Sequence, residues 1–492
     1  MNYFVCFFIG WLYTLSFSPY NISLLSLLSI LILLLLLDLD SLKDTTIKAF
    51  LFSSGYFLSG TYWLENVIRQ YSEVGYILSI IIILFFILYL SIFIALPIII
   101  SSYLKINLKL HKNYSLIIMS ILITFFEIIR AEIFTGYSWH NFGQSGIGAP
   151  LEYFFPVIGV HGITLIIFLS ALIIANIIRS KNLKFFLPLL TIFLLFYFSI
   201  YSKEWTFESS KTASITIIQP NITNKLSYDK EEIIKRMNTL SNMSSDLAVN
   251  SPDIILWPEA PLTVPYNNIK KSYYENILRN LPSSTSLVTG SFYEDNGSIY
   301  NTIINVSDPS NLYHKKHLVP FGEYLPFRKT MSSIYNFIGI NIYDLSKGKI
   351  SNVIKINEFK AYSLICYESI FSKESLIKIP EVDFILNVSN DGWFGDSLAP
   401  YQHLDALRMR ALENQRYAIR SANNGISAII SPNGNIVNFI PYNKMGLINA
   451  SIKARNGYTP LSKYGYKTLY IFIFLIFIYA SIYFNLKVFK RF

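Results

Sequence analysis

Apolar positions along the chain fall into two regimes. Up to about residue 201, and again over 468–486, they form long runs almost without charge: 1–37, 74–104, 185–202 and 468–486 contain no Lys, Arg, Asp or Glu, and 151–178 contains only Glu152. Runs of this length match the roughly 20 apolar residues that carry a helix across a bilayer core. They predict eight membrane helices near 3–17, 22–37, 49–64, 76–101, 115–129, 155–178, 185–201 and 468–486. Over 202–467 the apolar runs shorten and alternate with polar stretches. Strands are predicted at 213–219, 253–257, 286–290, 300–306, 362–366, 383–389 and 427–431,. Helical spacing is seen over 228–249, which lines up Ile233, Met237, Leu240, Met243 and Leu247, and over 403–422,. Such alternation predicts an α/β domain with helices covering strands. The expected organisation is helices over 1–201, a polar domain over 202–467, and a last helix with its tail over 468–492.

Composition agrees with a membrane protein: 52% of residues are hydrophobic and 15% charged, with mean hydropathy +0.40. The net charge of +10 raises the question of nucleic acid, but its distribution answers otherwise. Lys43 and Lys48, Lys105, Lys109 and Lys112, Arg179, Lys181 and Lys184, and Lys487, Lys490 and Arg491 fall on one side if eight helices alternate. Basic short loops mark the cytoplasmic face, so the 202–467 insert is expected on the extracytoplasmic side, and no nucleic-acid partner is expected. The first segment lacks a positive n-region and reads as a retained helix. Two cysteines, Cys6 in an apolar run and Cys366 in the polar region, do not make a disulfide framework,.

Three stretches place an ionisable residue just past a strand-like run. Glu259 lies in Trp-Pro-Glu-Ala-Pro, Lys315 follows Tyr313-His314, and Cys366 ends an apolar run before Tyr367-Glu368. A thiolate is a strong nucleophile whose thioester can pass an acyl group onward, and a thiol that is protonated at neutral pH needs a base. Glu259 is the candidate base, Lys315 with the Tyr367 amide the candidate oxyanion donors, and Glu323 and Glu368 supporting carboxylates. Taken singly, each has a plainer reading: a core cysteine, a turn-capping glutamate, a solvated Lys315–Lys316 pair. Their joint order is what sets them apart.

That order, with its flanking motifs, resembles the nitrilase superfamily, whose Glu-Lys-Cys triad runs in the same sequence. More closely, the chain resembles the apolipoprotein N-acyltransferase family. The resemblance is carried by Trp257-Pro258-Glu259, the segment from Lys315 to Leu318-Val319-Pro320-Phe321-Gly322-Glu323, Cys366-Tyr367-Glu368 and Ser389-Asn390-Asp391-Gly392-Trp393-Phe394-Gly395. Gln402-His403, Arg410, Glu413, Arg416, Arg420 and Asn424-Gly425 follow. Phe17-Ser18-Pro19, Glu127, Arg130 and Trp139 extend it into the helical part. Tyr228 stands where relatives often have tryptophan. The resemblance implies a nitrilase-like αββα sandwich joined to a transmembrane bundle. The implied reaction passes a fatty acyl chain from a phospholipid, phosphatidylethanolamine, through a Cys366 thioester to the α-amine of a diacylglyceryl-cysteine on an apolipoprotein. It implies a monomer in the inner membrane with its catalytic domain in the periplasm, and requires no metal or nucleotide.

Two rival readings remain. A membrane-anchored amidase would use the same triad to hydrolyse a soluble carbon-nitrogen bond, and a transporter or flippase would carry an accessory domain; the latter expects ionisable residues deep in several helices, where this sequence is nearly charge-free. His314, His317 and His403 lack ligand spacing and read as structural. The apolar stretch 324–345 reads either as a membrane-dipping arm that gates the site or as a covered core segment. Glu127 and Arg130, at a helix end, read as an interfacial ion pair or a headgroup contact.

Overall fold

A computed structural model describes residues 2–71, 74–180, 186–222, 229–245, 251–337, 342–349 and 351–489. Tyr228, Leu247, Lys181, Lys184, Lys490, Arg491 and the middle of the 324–345 stretch lie outside the described residues. The chain divides into two compact units, one of Met1–Glu65, Gly75–Glu204 and Pro460–Phe492, the other of Asn66–Val74 and Trp205–Thr459.

The first unit is helical. Among the described residues four helices are long and apolar enough to cross a membrane, within Tyr76–Asn107, Lys112–Arg130, Pro150–Arg179 and Lys467–Phe484, and shorter apolar helices occupy Asn2–Ser16, Leu24–Leu36 and Leu190–Ile200. Helix Leu42–Thr61 is less apolar and starts with a Ser41 hydroxyl accepting from the Asp44 amide, an N-cap. Two basic residues cap a helix end. Lys48 Nζ donates to the Leu36 carbonyl at 2.7 Å, and Arg179 Nη2 donates to Leu34 and Leu35 at 2.9 and 2.7 Å. Both satisfy carbonyls that end the Leu24–Leu36 helix and complement its dipole.

Glu127 and Arg130 correct an expectation. Both are buried and turn to different partners, not to each other. Glu127 accepts from the Phe142 amide and the Thr164 hydroxyl, each at 2.8 Å, and meets His161 Nδ1 at 2.8 Å. Arg130 donates to the Trp139 and His140 carbonyls and to Asn141 Oδ1, all at 2.9 Å. Charges buried among helices persist where such partners compensate their desolvation; here the two side chains fix the irregular segment 138–146.

The second unit is a sandwich of two six-stranded sheets. In chain order the strands are β1 (Thr206–Gln219), β2 (Ile254–Leu256), β3 (Ser286–Asp295), β4 (Ser298–Asn305), β5 (Leu312–His314), β6 (Val353–Ile356), β7 (Phe359–Ile365), β8 (Phe384–Ser389), β9 (Ala418–Ala422), β10 (Ser427–Ile430), β11 (Ile436–Ile440) and β12 (Gly446–Gly457). One sheet runs β12-β1-β2-β3-β4-β5, the other β11-β10-β9-β8-β7-β6. Strands β1, β2 and β3 pair in parallel, as do β7, β8 and β9. Period-2 alternation builds three layers of core. Ile215, Ile217, Ile254, Leu256, Leu386 and Val388 point between the sheets. Ile218 and Ile255 face outward beside Leu240 of helix Lys230–Ser245, and Ile385 packs with Leu404, Leu407 and Ala411 of helix Ala399–Asn414. The αββα sandwich is the fold expected from the sequence.

One boundary differs. The helix expected over 403–422 ends at Asn414, where Gln415 takes a left-handed conformation (φ 45°), and 418–422 is the buried strand β9. The buried Arg416 holds the break, its Nε donating to the Val382 carbonyl at 2.8 Å and its Nη2 to Gly457 at 2.8 Å. Tertiary pairing of β9 between β8 and β10 overrides the local helical propensity of its alanines and arginine.

Candidate active site

Glu259, Lys315 and Cys366 all lie just beyond strand ends, after β2, β5 and β7. At two of these exits the backbone turns sharply in the left-handed region, at Ala260 (φ 38°) and at Cys366 itself (φ 48°). Non-glycine residues in such conformations cost of order 1–3 kcal/mol and persist where surrounding structure holds them. Glycine makes room at the other side of two of the three. A Cβ at Gly290 would come within 2.6 Å of the Glu259 Cα, and one at Gly348 within 2.0 Å of the His314 carbonyl oxygen. The backbone is locked there by Gly290 N–H to the Pro258 carbonyl at 3.1 Å and Gly348 N–H to Lys315 at 2.8 Å.

The charged centre is a buried ammonium between two carboxylates. Lys315 Nζ lies 2.9 Å from Glu323 Oε1 and 3.7 Å from Glu259 Oε1, and its side chain is 1% exposed. Burial disfavours that ammonium, but the Glu323 and Glu259 carboxylates outweigh it and hold its pKa above the ordinary lysine range,. Glu323 is anchored in turn by the Val319 amide at 2.8 Å.

Asn301, on β4, was not singled out in the sequence. Its Nδ2 donates to Glu259 Oε1 at 2.8 Å and to Glu323 Oε1 at 2.9 Å, and its carbonyl accepts the Lys315 amide at 2.8 Å. A polar residue two positions before the inward Ile303 was the available signal. With Oε1 so held, Glu259 Oε2 is buried without a hydrogen-bond partner, and Cys366 is among the groups whose proximity bears on the carboxylate. Burial pushes the Glu259 pKa up, with Lys315 opposing. Burial, and then the Glu259 charge, push the Cys366 thiol up as well, with Lys315 again opposing. The surroundings of Cys366 thus favour its protonated form, and Glu259 is a neighbouring carboxylate that could take the proton.

Glu368 occupies a different position. Its Oε1 accepts from the Tyr313 hydroxyl (2.7 Å) and the amides of Lys316 (2.8 Å) and His317 (3.1 Å), and its Oε2 accepts from the Ile365 amide (2.8 Å). One buried carboxylate thus ties the exit of β7 to the exit of β5, fixing Cys366 relative to Lys315. Tyr367 follows the nucleophile in the short turn Cys366–Ile370, its ring edge-on to Phe371 at 5.0 Å and to His317 at 5.6 Å. The histidines have separate surroundings: His314 pairs with Thr302 at 2.7 Å, His317 stacks on Phe371 at 3.9 Å, and His403 is buried beneath Cys366.

A strand-end cysteine, glutamate and lysine on an αββα sandwich define a class. Residues 214–458 match the carbon-nitrogen hydrolase family model, which agrees with the sandwich fold. Residues 9–173 match the apolipoprotein N-acyltransferase N-terminal domain. Among curated relatives, the apolipoprotein N-acyltransferase of Wigglesworthia glossinidia brevipalpis is 32% identical, over 96% of both chains. That of Haemophilus ducreyi is 29% identical over 95% of this chain and 94% of the relative, and that of Coxiella burnetii 31% over 85% and 87%. The chain belongs to the apolipoprotein N-acyltransferase family.

Proposed function

We propose that the protein matures lipoproteins by moving a fatty acyl chain from a membrane phospholipid to the α-amino group of their diacylglyceryl-cysteine, through a thioester on Cys366. The observation that carries this reading is the buried Lys315 Nζ set between Glu323 at 2.9 Å and Glu259 at 3.7 Å, with Cys366 among the groups that bear on Glu259, in a chain related to N-acyltransferases over nearly its whole length.

In the first half-reaction Cys366 Sγ attacks the ester carbonyl while Glu259 takes the thiol proton. The oxyanion is met by the Lys315 ammonium and the Tyr367 amide. Collapse breaks the ester bond, and the departing glycerol oxygen takes the proton back from Glu259, leaving as lysophospholipid. In the second half the lipoprotein amine attacks the thioester, Glu259 removes an amine proton, and the proton returns to the Cys366 thiolate. An amide has formed and the enzyme is restored. Glu323 keeps Lys315 charged and in place, and Glu368 holds the two loops in register.

The finer parts of the reading are phosphatidylethanolamine as donor, a monomeric enzyme, and eight membrane-crossing helices. They include helices over 1–201, the catalytic domain over 202–467 and a last helix over 468–492. The basic loops support a periplasmic catalytic domain on a bacterial inner-membrane protein,. The stretch 324–345 is our candidate lipid-contacting arm: Phe327 and Tyr343 are 69% and 67% exposed, Arg328 and Asp344 pair across its base at 2.7 Å, and the Leu345 amide returns to the Glu323 carbonyl at 2.8 Å. The test is incubation of purified protein in detergent with phosphatidylethanolamine and a synthetic diacylglyceryl-cysteine peptide. The reading expects a gain of one acyl group on the peptide amine, absent with Cys366→Ala. Hydrolysis of soluble amides without acyl transfer would overturn it in favour of an amidase.

A further inference from the structure

Beneath the nucleophile lies a buried polar network that the proposed chemistry does not use. His403, on helix Ala399–Asn414, places Nε2 3.0 Å from the Cys366 carbonyl oxygen and Nδ1 2.8 Å from Asp391 Oδ1. Arg420, on β9, donates from Nη2 to both Asp391 oxygens at 2.9 and 2.7 Å, and from Nη1 to Asn387 Oδ1 at 2.7 Å. His403, Asp391 and Arg420 are all fully buried. The Cys366 carbonyl also accepts from the Ser369 hydroxyl at 2.9 Å. His403, from the Ala399–Asn414 helix, thus reaches that backbone oxygen, while Asp391, just past β8, and Arg420 of β9 hold His403 from behind.

That oxygen belongs to the peptide group joining Cys366 to Tyr367. The group is planar, and in its trans form the carbonyl and the following N–H point in opposite directions. Holding the Cys366 carbonyl thus fixes the direction of the Tyr367 N–H. The left-handed φ of Cys366 (48°) is a sparsely populated conformation that needs such support. We infer that His403, held by Asp391 and Arg420, is a positioning residue that aims the Tyr367 N–H at the oxyanion through the shared peptide plane. This rests on the proposed role of the Tyr367 amide. His403 touches no reacting atom; its effect reaches the reaction only through backbone orientation.

The test compares two reactions of Cys366. Alkylation by iodoacetamide displaces iodide from a saturated carbon and forms no oxyanion, whereas acylation by phospholipid does. In His403→Ala the acylation rate at saturating phospholipid should fall on the order of 100-fold, the scale of losing one oxyanion donor. The phospholipid concentration for half-saturation and the alkylation rate should stay within about twofold of wild type. His403→Gln, which retains an N–H near the Nε2 position, should recover most of the acylation. Unchanged alkylation also reports that the Cys366 pocket is folded. Parallel loss of alkylation and acylation would overturn the inference by making His403 a support for the thiol or the fold, and so would unchanged acylation in His403→Ala. Wild-type protein that alkylates but never acylates would instead refute the thioester reading itself, and the two failures are thereby distinguished.

Discussion

Lys315 gives its short contact to Glu323, at 2.9 Å, and stands 3.7 Å from Glu259. The division of labour between the two carboxylates follows. In the proposed mechanism Glu323 neutralises the ammonium and Glu259 serves the thiol. Glu323→Ala should lower the acylation rate at least 100-fold, because a buried ammonium left with Glu259 alone draws that carboxylate from its role as base. Removing one partner of a buried pair costs on the order of 3–5 kcal/mol, so thermal unfolding should shift down as well. Acylation kinetics with a melting curve check both.

Asn301 gives a sharper contrast. Its amide bridges Glu259 and Glu323, so Asn301→Ala should slow acylation roughly 10- to 100-fold by leaving a buried carboxylate oxygen short of a donor. Asn301→Asp should be worse than Asn301→Ala, since it sets a third acid beside two others. Equal activity of the two variants, measured by single-turnover acylation, would contradict the bridging role.

Reactivity of the thiol should follow its surroundings. Burial and the Glu259 charge raise the Cys366 pKa above the ordinary cysteine range, so the thiolate fraction is still rising at pH 9. Iodoacetamide alkylation should climb steadily from pH 6 to 9 without a plateau. Replacing Glu259 by Gln removes a negative neighbour and should move the rise to lower pH, while single-turnover acylation falls by roughly 100-fold or more for want of a base.

Asp391 supplies an acid limit to stability. Although burial opposes its charge, Arg420 and His403 hold its carboxyl down at about 2 from an ordinary value of 3.8. A depressed carboxylate contributes stability that is present above its unfolded pKa and is lost as pH falls through the folded one. That contribution, about 2 kcal/mol by the size of the shift, should disappear between about pH 4 and pH 2. Urea unfolding of wild type and Asp391→Asn across that window should show the two curves converging towards acid.

Much of this was legible in the sequence because it depends on period and on strand ends. Inward and outward alternation in β1, β2 and β8 is written in their isoleucines and leucines, and Glu259, Lys315 and Cys366 each announce themselves as an ionisable residue closing an apolar run. What escaped depends on long-range pairing. The strand 418–422 carries helix-compatible residues and becomes β9 through its neighbours β8 and β10. Asn301 is an ordinary polar residue in a strand until folding brings two carboxylates to its amide. Glu127 and Arg130 look like a pair at helical spacing, yet Arg130 turns to the carbonyls of Trp139 and His140 and the Asn141 side chain, and Glu127 to the Phe142 amide, Thr164 and His161; the irregular path of 138–146 is encoded by no periodicity.

Whether Cys366 carries the acyl group is read from the intact mass of the purified protein after incubation with phospholipid alone. Wild type should gain the mass of one fatty acyl chain, removed by hydroxylamine and absent from Cys366→Ala. Folded wild-type protein that gains no acyl mass, or a gain that persists in Cys366→Ala, would contradict the Cys366 thioester.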